Sequence, residues 1–107
     1  MWVLGYKVEG PATNFEAVDG ARLEVLGGVA NQFGWHDRQQ WPMLRIDQAR
    51  AAYVGCTNGP SASVGFETLV EEVTEQGTRR FPRDGFPRRP GRHGQYTVPL
   101  YVTPDGE

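Results

Sequence analysis

An all-β fold is what this sequence predicts, and three features carry that reading. The chain holds 14 Gly and 8 Pro in 107 residues, well above the usual combined share of roughly 12%. Few of the pieces between them reach the roughly 12 residues that a marginal free-standing helix needs. Inside those pieces, apolar residues recur with period two, the mark of a strand with one buried face. The pieces end on turn signals such as Asp19-Gly20, Gly27-Gly28 and Gly59-Pro60, which break helices and join strands.

The elements follow in order. Over residues 2–9, Trp2, Leu4, Tyr6 and Val8 share one face, and Val3, Gly5, Lys7 and Glu9 share the other. Residues 14–18 hold Phe15, Ala17 and Val18 before the Asp19-Gly20 turn. Leu23 and Val25 oppose Arg22 and Glu24, and Leu44 and Ile46 flank Arg45. Tyr96, Val98, Leu100 and Val102 form a last alternating set, in which Pro99 points to an edge strand or a bulge. Two segments also admit helix. Asp47 to Tyr53 is rich in Ala and Arg. Phe66, Leu69, Val70 and Val73 fall on the helical template, with Ser63 as a candidate cap and Glu67 in the first turn. Against helix there, Thr68, Val70, Val73 and Thr74 are β-branched, and Gln76-Gly77 reads as a hairpin turn. Periodicity alone leaves both open, so the alternative fold is α+β with one helix near 66–76. No clean internal repeat is visible. Strand starts at 2, 14 and 21 suit a single coil of a β-solenoid.

Size and charge exclude several classes. One domain spanning 1–107 is expected, with an Arg/Pro/Gly-rich loop at about 82–94. No run approaches the roughly 18 apolar residues of a membrane span. No secretory leader is visible, which makes the cytoplasm the default location. Cys56 is the single cysteine, so no internal disulfide framework can form. Residues 1–77 carry a net charge of −5, residues 78–94 one of +5, and the chain as a whole −2. An acidic protein with one basic loop is a poor candidate for nucleic-acid binding. The loop is better read as docking on an acidic surface, its own or that of a neighbouring subunit.

Three stretches together resemble a known family. Trp2-Val3-Leu4-Gly5-Tyr6-Lys7-Val8-Glu9-Gly10-Pro11 is similar to a late coil of pectate-lyase-like, right-handed parallel β-helix proteins. Arg22-Leu23-Glu24-Val25-Leu26-Gly27-Gly28 resembles the coil that follows. Phe66 to Arg80 and Val98-Pro99-Leu100-Tyr101-Val102 resemble the terminal strands. The resemblance implies a short parallel β-helix fragment with an antiparallel terminal extension, in a family that cleaves or binds polysaccharides. It also turns residues 66–76 towards strand. The family's acidic catalytic groups sit on middle coils that find no match in this chain, so no catalytic residue carries over. An orphan fragment of this kind is also similar in type to small proteins of environmental mobile gene cassettes. A solenoid fragment leaves strand edges and apolar side chains open at one end, which makes a homo-oligomer the expectation.

Candidate chemistry concentrates in Gly34-Trp35-His36-Asp37-Arg38-Gln39-Gln40-Trp41. Aromatic faces stack on pyranose C–H groups while polar neighbours read hydroxyls. Trp35, His36, Asp37 and Trp41, with Tyr53, are therefore the candidate ligand site for an oligosaccharide or other small molecule. The competing reading has both Trp covering the open end of the core. Glu67, Glu71, Glu72 and Glu75 could supply paired carboxylates for glycoside cleavage, or simply a solvated face that balances the Arg loop. Cys56 has no local base and reads as a small buried side chain. His36 and His93 are the two histidines and no ligand spacing is present, so neither a metal nor a cofactor is expected. The leading function is a non-catalytic binding or assembly module. The alternative is a small polysaccharide hydrolase or lyase whose site forms between subunits.

Overall fold

The computed structural model describes residues 1–9, 13–31, 38–39, 41–59, 65–88 and 96–104. Its strands are β1 (Trp2–Leu4), β2 (Lys7–Glu9), β3 (Phe15–Val18), β4 (Arg22–Asn31), β5 (Arg38–Gln39), β6 (Leu44–Asp47), β7 (Arg50–Gly59), β8 (Gly65–Phe66), β9 (Thr68–Thr74), β10 (Gly77–Pro82) and β11 (Tyr96–Val102). The one helical element among the described residues is a short 3-10 turn at Arg83–Gly85. The fold is all-β.

The chain winds through three parallel passes. In the first sheet β1 and β2 pair parallel with β4, and β4 pairs parallel with β7. In the second sheet β3, β6 and β9 pair parallel in that order. Antiparallel strands then finish both sheets: β11 on β7, and β10 folded back on β9. A small third sheet holds β5 and β8. The strand orders are thus β1-β4-β7-β11, with β2 also on β4, and β10-β9-β6-β3. Residues 66–76 form strand and hairpin turn, so the alternative with a helix there is set aside. Asp47 to Tyr53 is not helical either: β6 ends at Asp47, the chain turns at Gln48-Ala49, and β7 begins at Arg50.

Stacked corners hold the passes in register. Gly5, Gly27 and Gly55 all take left-handed backbone, with φ of 71°, 79° and 64°. Each follows a matched residue of the first sheet, since Leu4 pairs with Leu26 and Leu26 with Val54. Left-handed φ carries no steric penalty at Gly, so the three form a column that bends every pass at the same height. At a second corner Asp19 and Gln48 both have φ of 54°. The ladder continues through these bends: Gly5 N donates to Leu26 O at 2.9 Å, and Gly20 N donates to Gln48 O at 2.7 Å.

This column corrects two sequence expectations. Residues 2–9 do not run as one strand, because Gly5 divides β1 from β2 and reverses which side faces inward. Trp2 and Leu4 are exposed, whereas Val3 and Tyr6 pack on the core. An internal repeat does exist: Val3-Leu4-Gly5, Val25-Leu26-Gly27 and Tyr53-Val54-Gly55 occupy equivalent places in successive passes.

The core lies between the two large sheets. Val3, Val25, Tyr53 and Tyr101 form one inward row, and Phe15, Leu44, Val70 and Phe81 form another. Phe81 meets Tyr101 at a centroid distance of 5.3 Å, and Tyr6 meets Phe15 edge-on at 4.9 Å. The Tyr101 hydroxyl donates to Glu72 Oε1 at 2.5 Å, joining the sheets across the interior.

Candidate functional site

The outer faces of the two sheets differ in chemistry. On the second sheet, Glu16, Arg45, Glu71 and Arg80 stand in one register row across β3, β6, β9 and β10. Their charges alternate and all are bonded: Arg45 reaches Glu16 at 2.9 Å and Glu71 at 3.1 Å, and Arg80 reaches Glu71 at 2.8 Å. Asp47 adds a third carboxylate to Arg45 at 3.2 Å. Opposite charges placed directly across strands stabilise a sheet, and this row is satisfied by its own residues.

On the first sheet the matching row is Leu4, Leu26, Val54 and Leu100, across β1, β4, β7 and β11. The next outward row is Trp2, Glu24, Ala52 and Val102. Trp2 is 73% exposed, Leu4 70% and Leu100 65%; Leu26, Val54 and Val102 are exposed as well. Scattered exposed apolar residues need no explanation, but a contiguous apolar patch marks an interaction site. Composition and periodicity missed this face, because alternation shows which residues share a side and not which side meets water.

Two of the five predicted ligand residues, Trp41 and Tyr53, fall among the described residues. Trp35, His36 and Asp37 lie outside the described residues. Trp41 is 43% exposed and leads into buried Pro42 and Met43. That turn is pinned where Thr13 Oγ1 donates to Pro42 O at 2.7 Å and Met43 N donates to Thr68 O at 3.0 Å. Tyr53 is fully buried on the inward side of β7. Trp41 and Tyr53 therefore do not share a surface.

Tyr53 belongs to an interior polar group. The Tyr53 hydroxyl is buried without a hydrogen-bond partner, and the buried Tyr6 hydroxyl lies among the Asn14 side-chain amide and the Cys56 thiol. Burial pushes both phenols and the thiol above their ordinary values, and the Tyr101 phenol is pushed up by burial and by Glu72. Cys56 is thus a buried thiol poorly suited to act as a nucleophile. In the unfolded chain the thiol and phenols titrate near 9.0 and 10.0, while the folded protein holds their protons longer. Their contribution is complete below that range and is lost as pH rises beyond it. Urea midpoints are expected to fall steadily from about pH 9 upward, and a flat profile to pH 11 would contradict the burial of these groups. Tyr53→Phe removes a buried hydroxyl that has no partner, and is expected to raise stability by about 1 kcal/mol in the same assay.

The acidic cluster and the basic stretch meet each other. Arg79 bonds buried Glu72 at 2.9 Å, next to the Arg80–Glu71 pair. Arg83 is fully buried. Its guanidinium lies 5.3 Å from the Tyr96 ring centroid, with that of Arg88 at 5.5 Å, and Tyr96 donates its hydroxyl proton to Asp84 at 3.2 Å. Cation–π contacts and short ion pairs thus tie the first part of the basic stretch to its own chain. Among the described residues no cluster of three or more His, Cys, Asp or Glu is placed to hold a metal ion.

Comparison with protein-family profiles, with curated proteins and with solved structures returned no match.

Proposed function

We propose that this protein is a non-catalytic assembly module that docks on a second copy of itself through the outer face of the β1-β4-β7-β11 sheet. The observation that carries this reading is the aliphatic row Leu4, Leu26, Val54 and Leu100, open to water across all four strands. The corresponding outer row of the opposite sheet, Glu16, Arg45, Glu71 and Arg80, is instead joined by ion pairs. A second copy suits the row because an uncharged aliphatic stripe is its own complement.

The size of the face sets the strength of the contact. At strand spacing near 4.8 Å, the two outward rows cover roughly 300 Å² per copy. A stable interface takes about 800 Å² from each partner, so association is expected to be weak and concentration-dependent. Among the described residues β1 and β3 lie at one edge of their sheets, where a strand edge could extend the contact. The far edge is defended by Pro99 on β11 and by Arg79 and Arg80 on β10.

This reading keeps the carbohydrate-related ancestry of the pectate-lyase-like resemblance as a proposal about origin. Glu71 and Glu72, each already held by an arginine, lend nothing to a sugar-cleaving alternative. A sugar-binding reading has one support, the exposed Trp41. Absence of any thermal shift with pectin-, alginate- and xylan-type oligosaccharides would remove it.

Leu26→Lys and Leu100→Lys test the docking face. Both positions are solvent-facing, so fold stability is expected to change by no more than about 0.5 kcal/mol. Light scattering at high protein concentration should then show monomer for the double variant where the wild type associates. Equal association of both proteins would refute the face.

A further inference from the structure

One charge interrupts the apolar face of the first sheet. Glu24 stands in the outward row Trp2, Glu24, Ala52 and Val102, two residues before Leu26 of the aliphatic row, and it is exposed. On the other sheet the outward glutamates are set opposite arginine: Glu16 and Glu71 are register partners of Arg45, and Glu71 also faces Arg80. Glu24 is placed differently. Directly across from it are Trp2 on β1 and Ala52 on β7. Among the described residues, the charged groups around it on that face are Arg22 and Arg50 in the row beyond, and the ammonium of Met1, which donates to Arg22 O at 2.9 Å.

We propose that Glu24 regulates docking: its charge opposes closure of the face on a second copy, keeps the contact weak and reversible, and makes it tighten as pH falls. The proposal rests on the docking reading above. Charges set within apolar strands commonly hold off unwanted association. Docking brings the apolar row of a second copy against Trp2 and Leu26, beside Glu24, and strips water from the carboxylate. Taking an ionised group out of water without a partner is costly, so docking favours the neutral acid. The docked pair then holds more protons than two free copies, and association strengthens as pH is lowered. A two-fold contact buries the same group from each copy, which doubles the effect.

Sedimentation velocity over a concentration series at pH 7 and pH 5, on the wild type, Glu24→Gln and Glu75→Gln, tests this. Glu75 is exposed in the β9–β10 hairpin, and its substitution removes the same charge, so it controls for net charge. At pH 7, Glu24→Gln should lower the dissociation constant by at least about tenfold with its thermal midpoint at low concentration unchanged, whereas Glu75→Gln should match the wild type. From pH 7 to pH 5 the dissociation constants of the wild type and Glu75→Gln should fall, and that of Glu24→Gln should change less. Equal dissociation constants for Glu24→Gln and the wild type would overturn the role of Glu24 while leaving the docking face standing, if Leu26→Lys with Leu100→Lys still abolishes association. Weaker association of Glu24→Gln would overturn it as well, since that is the mark of a carboxylate bonded to a cation of the second copy. If neither the wild type nor Glu24→Gln associates, the docking reading and this one fall together.

Discussion

Gly28→Val is expected to cost at least about 3 kcal/mol. A side chain at Gly28 has nowhere to go: a Cβ there would lie 2.0 Å from Cδ1 of Tyr6 and 2.3 Å from Cε1. Those are ring carbons of a side chain that packs edge-on against Phe15, so relief requires the whole Tyr6 ring to leave the core. Losing a buried aromatic costs roughly 3–5 kcal/mol. For a domain near this size each kcal/mol moves the midpoint by roughly 4–8 °C. Thermal melts of Gly28→Val should therefore fall by well over 10 °C. Gly85→Ala is the control, since nothing lies within 4 Å of a Cβ there. Its midpoint should stay close to that of the wild type. If Gly28→Val in the background of Tyr6→Ala costs as much as it does alone, the contact is not the cause.

Arg45→Met is expected to cost about 1–2 kcal/mol, with partial solvent exposure holding the figure below that of a buried pair. Arg45 binds three carboxylates at once, Glu16, Asp47 and Glu71, each through a different nitrogen. Without it, these three stand close together on one face with Arg80 as the remaining partner of Glu71. Arg45→Lys should recover only part of the loss, because one ammonium cannot reproduce a three-nitrogen fork. Urea unfolding at low and high salt would check both points. Screening weakens repulsion among the orphaned carboxylates, so the deficit of Arg45→Met should shrink as salt rises. A deficit independent of salt would mean that Arg45 acts by packing alone.

Much of the fold was legible because alternation and turn chemistry agreed. Leu23 and Val25, Leu44 and Ile46, and the set around Val98 all read as strands and are strands. The ambiguous stretch 66–76 was ambiguous for a physical reason. Leu69 and Val70 are both fully buried, so a strand with apolar residues on both faces imitates a helical spacing. The repeat was hidden because loops of different length separate Val3-Leu4-Gly5, Val25-Leu26-Gly27 and Tyr53-Val54-Gly55; only the pairing register shows them stacked.

The site was less legible. Tyr53, a candidate ligand residue in the sequence, sits at a position that pairs with Val25 and Tyr101 on the inward side. The outward row could be found only once Gly5, Gly27 and Gly55 were known to bend the passes together, since that bend separates Leu4 from Tyr6 in what reads as one alternating run.

The proposed docking closes the aliphatic face of the first sheet on a second copy. Sedimentation velocity on the wild-type protein over a wide concentration series tests it most directly. The weight-average mass is expected to rise reversibly from one chain towards two, with the rise abolished by Leu26→Lys together with Leu100→Lys. A wild-type mass that stays at one chain across the whole series would contradict it.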